Sequence, residues 1–223
     1  MKLSEATVNV LKNFSTINTG LVFKQGNVLR TMSKQQNVLA KATIPESFDQ
    51  DFTVYDLNRF LSLISTLDLP ELAFKEGEKN IKIVSGKSKT TYGLSDESMV
   101  VAPPVKDIKV DNAEVNFTLT KDDLAQVLKL AGVLGLPNIA VRGDRSKISL
   151  VALNVKDDNS DVFSVEVGTT TSEFHMLFVT ENFKMIPGDY SVAISSKGIS
   201  YFKHTTEPFE YWLALEPSSS YTE

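Results

Sequence analysis

Apolar side chains in KLSEATVNVLKNF fall at Leu3, Val10, Leu11 and Phe14, with Thr7 on the same stripe. That three-and-four spacing puts one face of an α-helix against a core. Glu5, Asn9 and Lys12 lie on the opposite face. From Gly20 the period falls to two: LVFKQGNVLRTM reads as strands around a Gln-Gly-Asn turn, and NVLAKATI and FTVY continue as strands. YDLNRFLSLISTL returns to helical spacing, started by Asp56, and LPELAFKEG, KNIKIVSG and SKTTYGL return to strand. Residues 95–110, SDESMVVAPPVKDIKV, have no period and carry a Pro-Pro pair, so they read as an extended linker.

After the linker the order recurs. VNFTL reads as strand, and TKDDLAQVLKLAGVL as a helix with its stripe at Leu124, Val127, Leu128 and Ala131. NIAVRG, KISLVAL, DVFSVEV and FHMLFV read as strands, TENFKMI as a short helix ended by Pro187-Gly188, and DYSVAIS, GISYFKH and EYWLALE as strands. Asn9-Val10-Leu11-Lys12 is echoed by Gln126-Val127-Leu128-Lys129. A unit of this length is too long for a solenoid repeat. The expectation is therefore an α+β protein of two similar domains, 1–94 and 111–223, joined by the linker 95–110. Each domain has two helices packed on antiparallel sheets, because amphipathic helices need a sheet to cover their apolar stripes.

Composition narrows the class. The chain has 223 residues, no Cys and no tract of some 18 apolar residues, so a reducing cytoplasm is expected and a membrane partner is not. MKLSEATV lacks the apolar run of a secretory signal. The net charge of -5 argues against a nucleic-acid partner only if charge is spread evenly, and its distribution matters more than its sum. Acids crowd the first turns of the predicted helices at Glu5, Asp56, Asp122, Asp123 and Glu181, where they suit the positive end of the helix dipole. Bases lie at Lys2, Lys12, Arg59, Lys121, Lys129 and Lys184, so each of the four predicted helices carries a cation. Each base alone is explained as a solvated surface residue. If the four helices line one surface, that surface is positive on an acidic protein and suits phosphates without reading sequence.

The chain also resembles the sliding clamps, or DNA polymerase processivity factors, of T-even-type bacteriophages. The likeness is carried by MKLS at 1–4, LKNF at 11–14, TIN at 16–18, YDLN at 55–58 with Phe60-Leu61, and NIKI at 80–83. It continues through VVAP at 100–103, Met185 with Pro187-Gly188 and Tyr190, and ALE at 214–216. The resemblance implies a homotrimeric closed ring around duplex DNA, with helices lining the hole. It implies loading by an ATP-dependent clamp loader, tethering of the replicative DNA polymerase, and a role as mobile activator of phage late transcription, in the cytoplasm of the infected bacterium. It implies no catalysis and no cofactor or metal. On this basis the DNA-facing residues are Lys2, Lys12, Asn13, Arg59, Lys121, Gln126, Lys129 and Lys184. The chain departs from the family at Glu5, where the family has a lysine, and at Ala131-Gly132-Val133, where it has a basic residue. Clamps dock partner peptides in an apolar pocket between domains, which here points to Val101, Val105, Ile108, Trp212, Leu213 and Leu215. Ordinary core burial accounts for the alternation in EYWLALE as well.

Other motifs lead nowhere. Gly86-Lys87-Ser88 lacks the glycine five positions earlier that a phosphate-binding loop needs, since Ile81 stands there, and TTYGL after it reads as strand. DDNSD at 157–161 lacks the glycine and glutamate of a calcium loop, with Val162 and Gly168 in their places. His175 and His204 have no second ligand at metal spacing. Two rival readings stand beside the clamp: a β-rich phage structural or assembly protein, and an enzyme with a hidden carboxylate site.

Overall fold

The structure, a computed structural model, describes residues 1–75, 77–104, 106 and 108–222. The chain forms two compact units, Met1–Val105 and Lys106–Glu223.

In the first unit, α1 (Glu5–Ile17) buries Thr7, Val10, Leu11, Phe14 and Ile17, the stripe that its spacing predicts. Two strands, β1 (Leu21–Phe23) and β2 (Gly26–Met32), follow, then the long β3 (Val38–Phe48) and β4 (Phe52–Val54). β1 pairs with β4 and β2 with β3, all antiparallel. Next come α2 (Leu57–Thr66), capped by Asp56 through a 2.9 Å bond from the Arg59 N–H, and a sheet of β5 (Glu71–Ala73), β6 (Asn80–Ser85) and β7 (Ser88–Gly93). α1 packs on β3 and beside α2. Below lies an aromatic core in which Phe23 stacks on Phe52 at 4.3 Å and Phe48 meets both edge-on. Gly86, with φ of 56°, turns the β6–β7 hairpin, so the Gly-Lys-Ser triplet is a strand connection.

The start of α1 is held from a distance. Ser4 Oγ accepts the Thr7 N–H at 3.2 Å, and the Glu46 carboxylate on β3 accepts from both the Ser4 N–H and the Thr7 hydroxyl. Burial pushes the Glu46 carboxyl up, but the bonds from Thr7 and Ser4 outweigh it and hold it below the ordinary glutamate value. A depressed folded-state pKa means stability that is present above the unfolded value of about 4.5 and lost as pH falls through the folded one. Glu46→Gln is therefore expected to cost about 0.5 to 2 kcal/mol at pH 7, the range for a lost cap. In thermal melts from pH 7 to pH 3 the gap to wild type should close as Glu46 itself becomes protonated. A constant gap across that range would show that the carboxylate charge contributes nothing.

The second unit repeats the plan. β8 (Val115–Leu119) leads into α3 (Lys121–Leu134), capped by Thr120 and ended by Gly135 in the left-handed region at φ 64°. Its first N–H, on Lys121, donates to Asp189 at 2.7 Å, so here too a carboxylate distant in sequence receives the start of the helix. β9 (Asn138–Asp144), β10 (Lys147–Leu153), β11 (Phe163–Thr169), β12 (Glu173–Val179) and β16 (Ser220–Thr222) form a sheet in the order β11-β10-β9-β12-β16, with α3 over β10 and β11. β13 (Tyr190–Ser195), β14 (Ile199–His204) and β15 (Phe209–Ala214) run antiparallel, with β8 beside β13.

One predicted element differs. TENFKMI is not a helix: Thr180–Asn182 makes a single 3-10 turn and the chain then runs on without helical structure, leaving three α-helices among the described residues. Two buried tyrosines take the backbone bonds that a helix would need. Ile186 N–H donates to Tyr211 Oη at 3.1 Å, and Tyr190 Oη donates to the Ile186 C=O. Burial raises both phenols well above their ordinary value, which keeps them protonated for these roles.

Candidate nucleic-acid interface

Helices α1 and α3 superpose in sequence register. Their buried positions Thr7 and Leu124, Val10 and Val127, and Phe14 and Ala131 are each 117 apart (124 − 7, 127 − 10, 131 − 14). The exposed Lys12 and Lys129 fall at the same interval, as do Asn9 and Gln126. The backbone periodicity that buries one stripe thus presents the same cation on the opposite face in both units.

The charge along each helix is ordered. α1 carries Glu5 in its first turn and Lys12 as its one cation; α3 carries Asp122 and Asp123 in its first turn and Lys129 farther on. The acids sit where helix N–H groups and caps use them, with Asp123 receiving the Thr120 hydroxyl at 2.6 Å. Lys12 and Lys129 remain exposed in the middle of their helices and set the sign of that band. α2 offers Arg59, exposed on a face otherwise made of Asn58, Ser62, Ser65 and Thr66. Near the end of α3, Gly132 and Val133 are exposed, so the apolar departure noted in the sequence lies on this surface.

The other expected residues divide. Gln126 is exposed on α3 beside Lys129, and Lys121 is exposed at its first position. Asn13 is half-buried, and its C=O accepts the Thr16 hydroxyl at 2.7 Å. Lys2 precedes α1 and belongs to no helix: it bridges to Glu71 of β5 and its Nζ lies 3.3 Å from that carboxylate, because the N-terminus is drawn onto the sheet through Met1 and Leu72. Lys184 is exposed on the non-helical segment held by Tyr190 and Tyr211.

Of the six residues expected to receive partner peptides, three are core. Trp212 is 4% exposed on β15, lies tilted against Tyr201 with ring centroids 5.0 Å apart and donates its indole N–H to the Ile108 C=O at 3.0 Å. Leu213 and Leu215 are buried. Val101 is half-buried, its C=O accepting from Asn18 at 3.2 Å, and Val105 lies outside the described residues. Sequence reasoning missed a groove of 270 Å³ in the first unit, walled by Val22, Val28, Arg30, Ala102, Pro103 and Pro104. The Pro-Pro pair was its signal: two rigid rings without N–H donors make an apolar wall as readily as a linker. Lys24 ties the segment down at its edge, reaching Glu97 at 2.8 Å and Asp51 at 3.0 Å.

Comparison with known proteins gives one answer for both units. The family of the DNA polymerase processivity factor matches residues 2–102, and that described as gp45 sliding clamp, C terminal, matches residues 115–217. The sliding clamp of Vibrio phage KVP40 is 34% identical over 97% of this chain and 99% of its own. That of Enterobacteria phage T4 is 32% identical over 99% of both chains. In fold, the chain is similar to the proliferating cellular nuclear antigen of Entamoeba histolytica, with a TM-score of 0.70 at 15% identity over 96% of this chain and 97% of that one. It is also similar to A. fulgidus PCNA bound to the C-terminal region of FEN-1, with a TM-score of 0.68 at 15% identity over 98% of each.

Proposed function

The chain belongs to the phage sliding-clamp family of DNA polymerase processivity factors, and on that premise we propose that it acts as a homotrimeric ring around duplex DNA. Lys12, Arg59, Lys121 and Lys129, with Asn13 and Gln126 beside them, face the phosphates from the helices, and Lys184 does so from its tyrosine-held segment. Lys2 adds to the rim through a side chain shared with Glu71. The observation that carries this reading is the common register of α1 and α3, which gives both units one exposed lysine at the same place on a capped helix. A ring built of matched units presents the same charge to DNA at every step of rotation. Few cations per helix, screened and bridged by water, hold DNA without pinning it.

The ring tethers the replicative polymerase after an ATP-dependent loader has opened and closed it, in the cytoplasm of the infected bacterium, and it serves late transcription as a mobile activator. Partner peptides dock on the first unit in the groove of Val22, Val28 and Pro103-Pro104, next to Val101.

Topology provides the test. Loaded on nicked circular DNA, the protein is expected to stay bound through gel filtration and to leave within the run once the circle is cut by a restriction enzyme. Equal retention on circles and linear duplex would end the ring reading.

A further inference from the structure

On β9, β10 and the turn between them, two of the cations are paired with carboxylates. Arg145 lies 3.4 Å from Glu173, and Lys147 Nζ lies 2.6 Å from Glu166. Asp144 is occupied by the turn itself, accepting the N–H groups of Ser146 at 3.0 Å and Lys147 at 2.7 Å. Arg142 has no carboxylate within ion-pair distance among the described residues. Its Nε donates to His175 Nδ1 at 3.0 Å, which fixes the side chain and leaves the two terminal nitrogens without a protein partner among those residues. Burial and the neighbouring guanidinium hold the His175 imidazole below its ordinary value, so at neutral pH Nδ1 keeps the lone pair that takes this bond.

Strand register sets what surrounds the guanidinium. Side chains two residues apart along a strand share a face. His175, Arg142, Ser149 and Glu166 stand side by side on β12, β9, β10 and β11, and Leu177, Ala140, Val151 and Ser164 form the next row of that face. Leu177, Ala140 and Val151 belong to a buried apolar cluster with Leu153. Where the two rows meet, a pocket of 240 Å³ brings Val151 and the 60% exposed Val162 together with Arg142, Ser149 and Ser164. The two serine hydroxyls have no partner among the described residues.

A guanidinium with two free nitrogens matches the two oxygens of a carboxylate. Asp144 in the lining and Glu166 in the row of Arg142 oppose a phosphate monoester, which carries about -1.5 to -2 at pH 7, more than they oppose a single charge. The apolar wall lies one row from the cation, so the ligand's apolar group is attached close to its charge. We propose that this pocket binds a monocarboxylate with an apolar side group, its oxygens on the terminal nitrogens of Arg142 and its side group against Val151 and Val162. The site lies wholly in the second unit and goes beyond the ring reading, so a chain that stays monomeric at every concentration leaves it untouched.

Titration of the purified full-length chain with small acids, followed by saturation-transfer NMR, tests it. 4-Methylpentanoate is expected to give saturable transfer. Acetate, which lacks the apolar group, and 4-methylpentanamide, which lacks the charge, should each bind about 10-fold more weakly or worse. Arg142→Gln should cost the acid about 10-fold with an unchanged circular-dichroism spectrum, and Arg142→Lys, which keeps the charge without the fork, should fall between. N-acetyl-leucine separates two sources of the same chemistry. Tighter binding than 4-methylpentanoate assigns the pocket to the last residue of a polypeptide, whose peptide group reaches Ser149 and Ser164; equal or weaker binding assigns it to a free acid. An amide that binds as well as the acid, an Arg142→Gln chain that binds like wild type, or no transfer to any of the acids overturns the proposal.

Discussion

Lys12→Glu combined with Lys129→Glu is expected to abolish processive synthesis while leaving the fold and native mass intact. Both side chains are exposed in mid-helix. Surface substitutions of this kind change stability by only about 0.5 kcal/mol. Their effect on DNA is larger because little else opposes it. Each reversal removes the cation that balances the first-turn acids, Glu5 on α1 and Asp122 with Asp123 on α3. In a trimer six positions change sign around one duplex. Retention on circular DNA at about 0.1 M salt should fall by on the order of 10-fold or more, with a shallower dependence on salt. Lys12→Gln with Lys129→Gln should fall between the two, because it removes attraction without adding repulsion. The measurement is product length in primer extension with the cognate polymerase and loader, alongside retention on circles. Unchanged product length in the charge-reversed variant would remove α1 and α3 from the DNA surface.

Gly188→Ala is expected to destabilise the second unit strongly. A Cβ built on Gly188 stands 2.6 Å from His204 Cδ2 and nearer still to Nε2. The imidazole has little room to yield. Its Nδ1 accepts the N–H groups of Glu207 at 3.1 Å and Thr206 at 3.3 Å, and its faces and edges meet Tyr190 at 5.1 Å and Phe209 at 5.7 Å. Overpacking of a fixed ring costs about 1 to 3 kcal/mol, or a fall in melting temperature of up to roughly 10 °C for a unit of this size. The damage reaches DNA as well. The next residue, Asp189, accepts the first N–H of α3 at 2.7 Å, and Tyr190 holds the segment that bears Lys184. His204→Ala in the same background should recover part of the lost melting temperature, because it opens the space that the methyl needs. A Gly188→Ala protein that melts with wild type would mean that β13 and β14 separate freely at this point.

The same two residues mark where reading the sequence stops. Met185, Pro187-Gly188 and Tyr190 were visible as a pattern, and TENFKMI before them has enough apolar residues to suggest a helix. The structure gives a single 3-10 turn because Tyr190 and Tyr211, four and 25 positions from Ile186, take its peptide groups. Lys2 is likewise placed by a contact distant in sequence. It looks like the first cation of α1, but the bond from Leu72 to Met1 makes its neighbourhood part of a sheet. Trp212 reads equally as core or as pocket wall, and only the structure shows it 4% exposed with its indole bonded to Ile108.

The sequence by itself determined the three helices, their buried stripes, the start of the second at Asp56, and the shared spacing of Lys12 and Lys129. All of these are set within one or two turns by backbone geometry, where a residue's neighbours in sequence are its neighbours in space. Only the tertiary structure decided that Glu46 and Asp189 receive the starts of α1 and α3, that Pro103 and Pro104 wall a groove with Val22 and Val28, and that β7 and β11 are end strands of their sheets among the described residues. Those features depend on which strand passes which helix end. Strand order is set by how two sheets share buried area over the whole unit, and no local period of side chains encodes it.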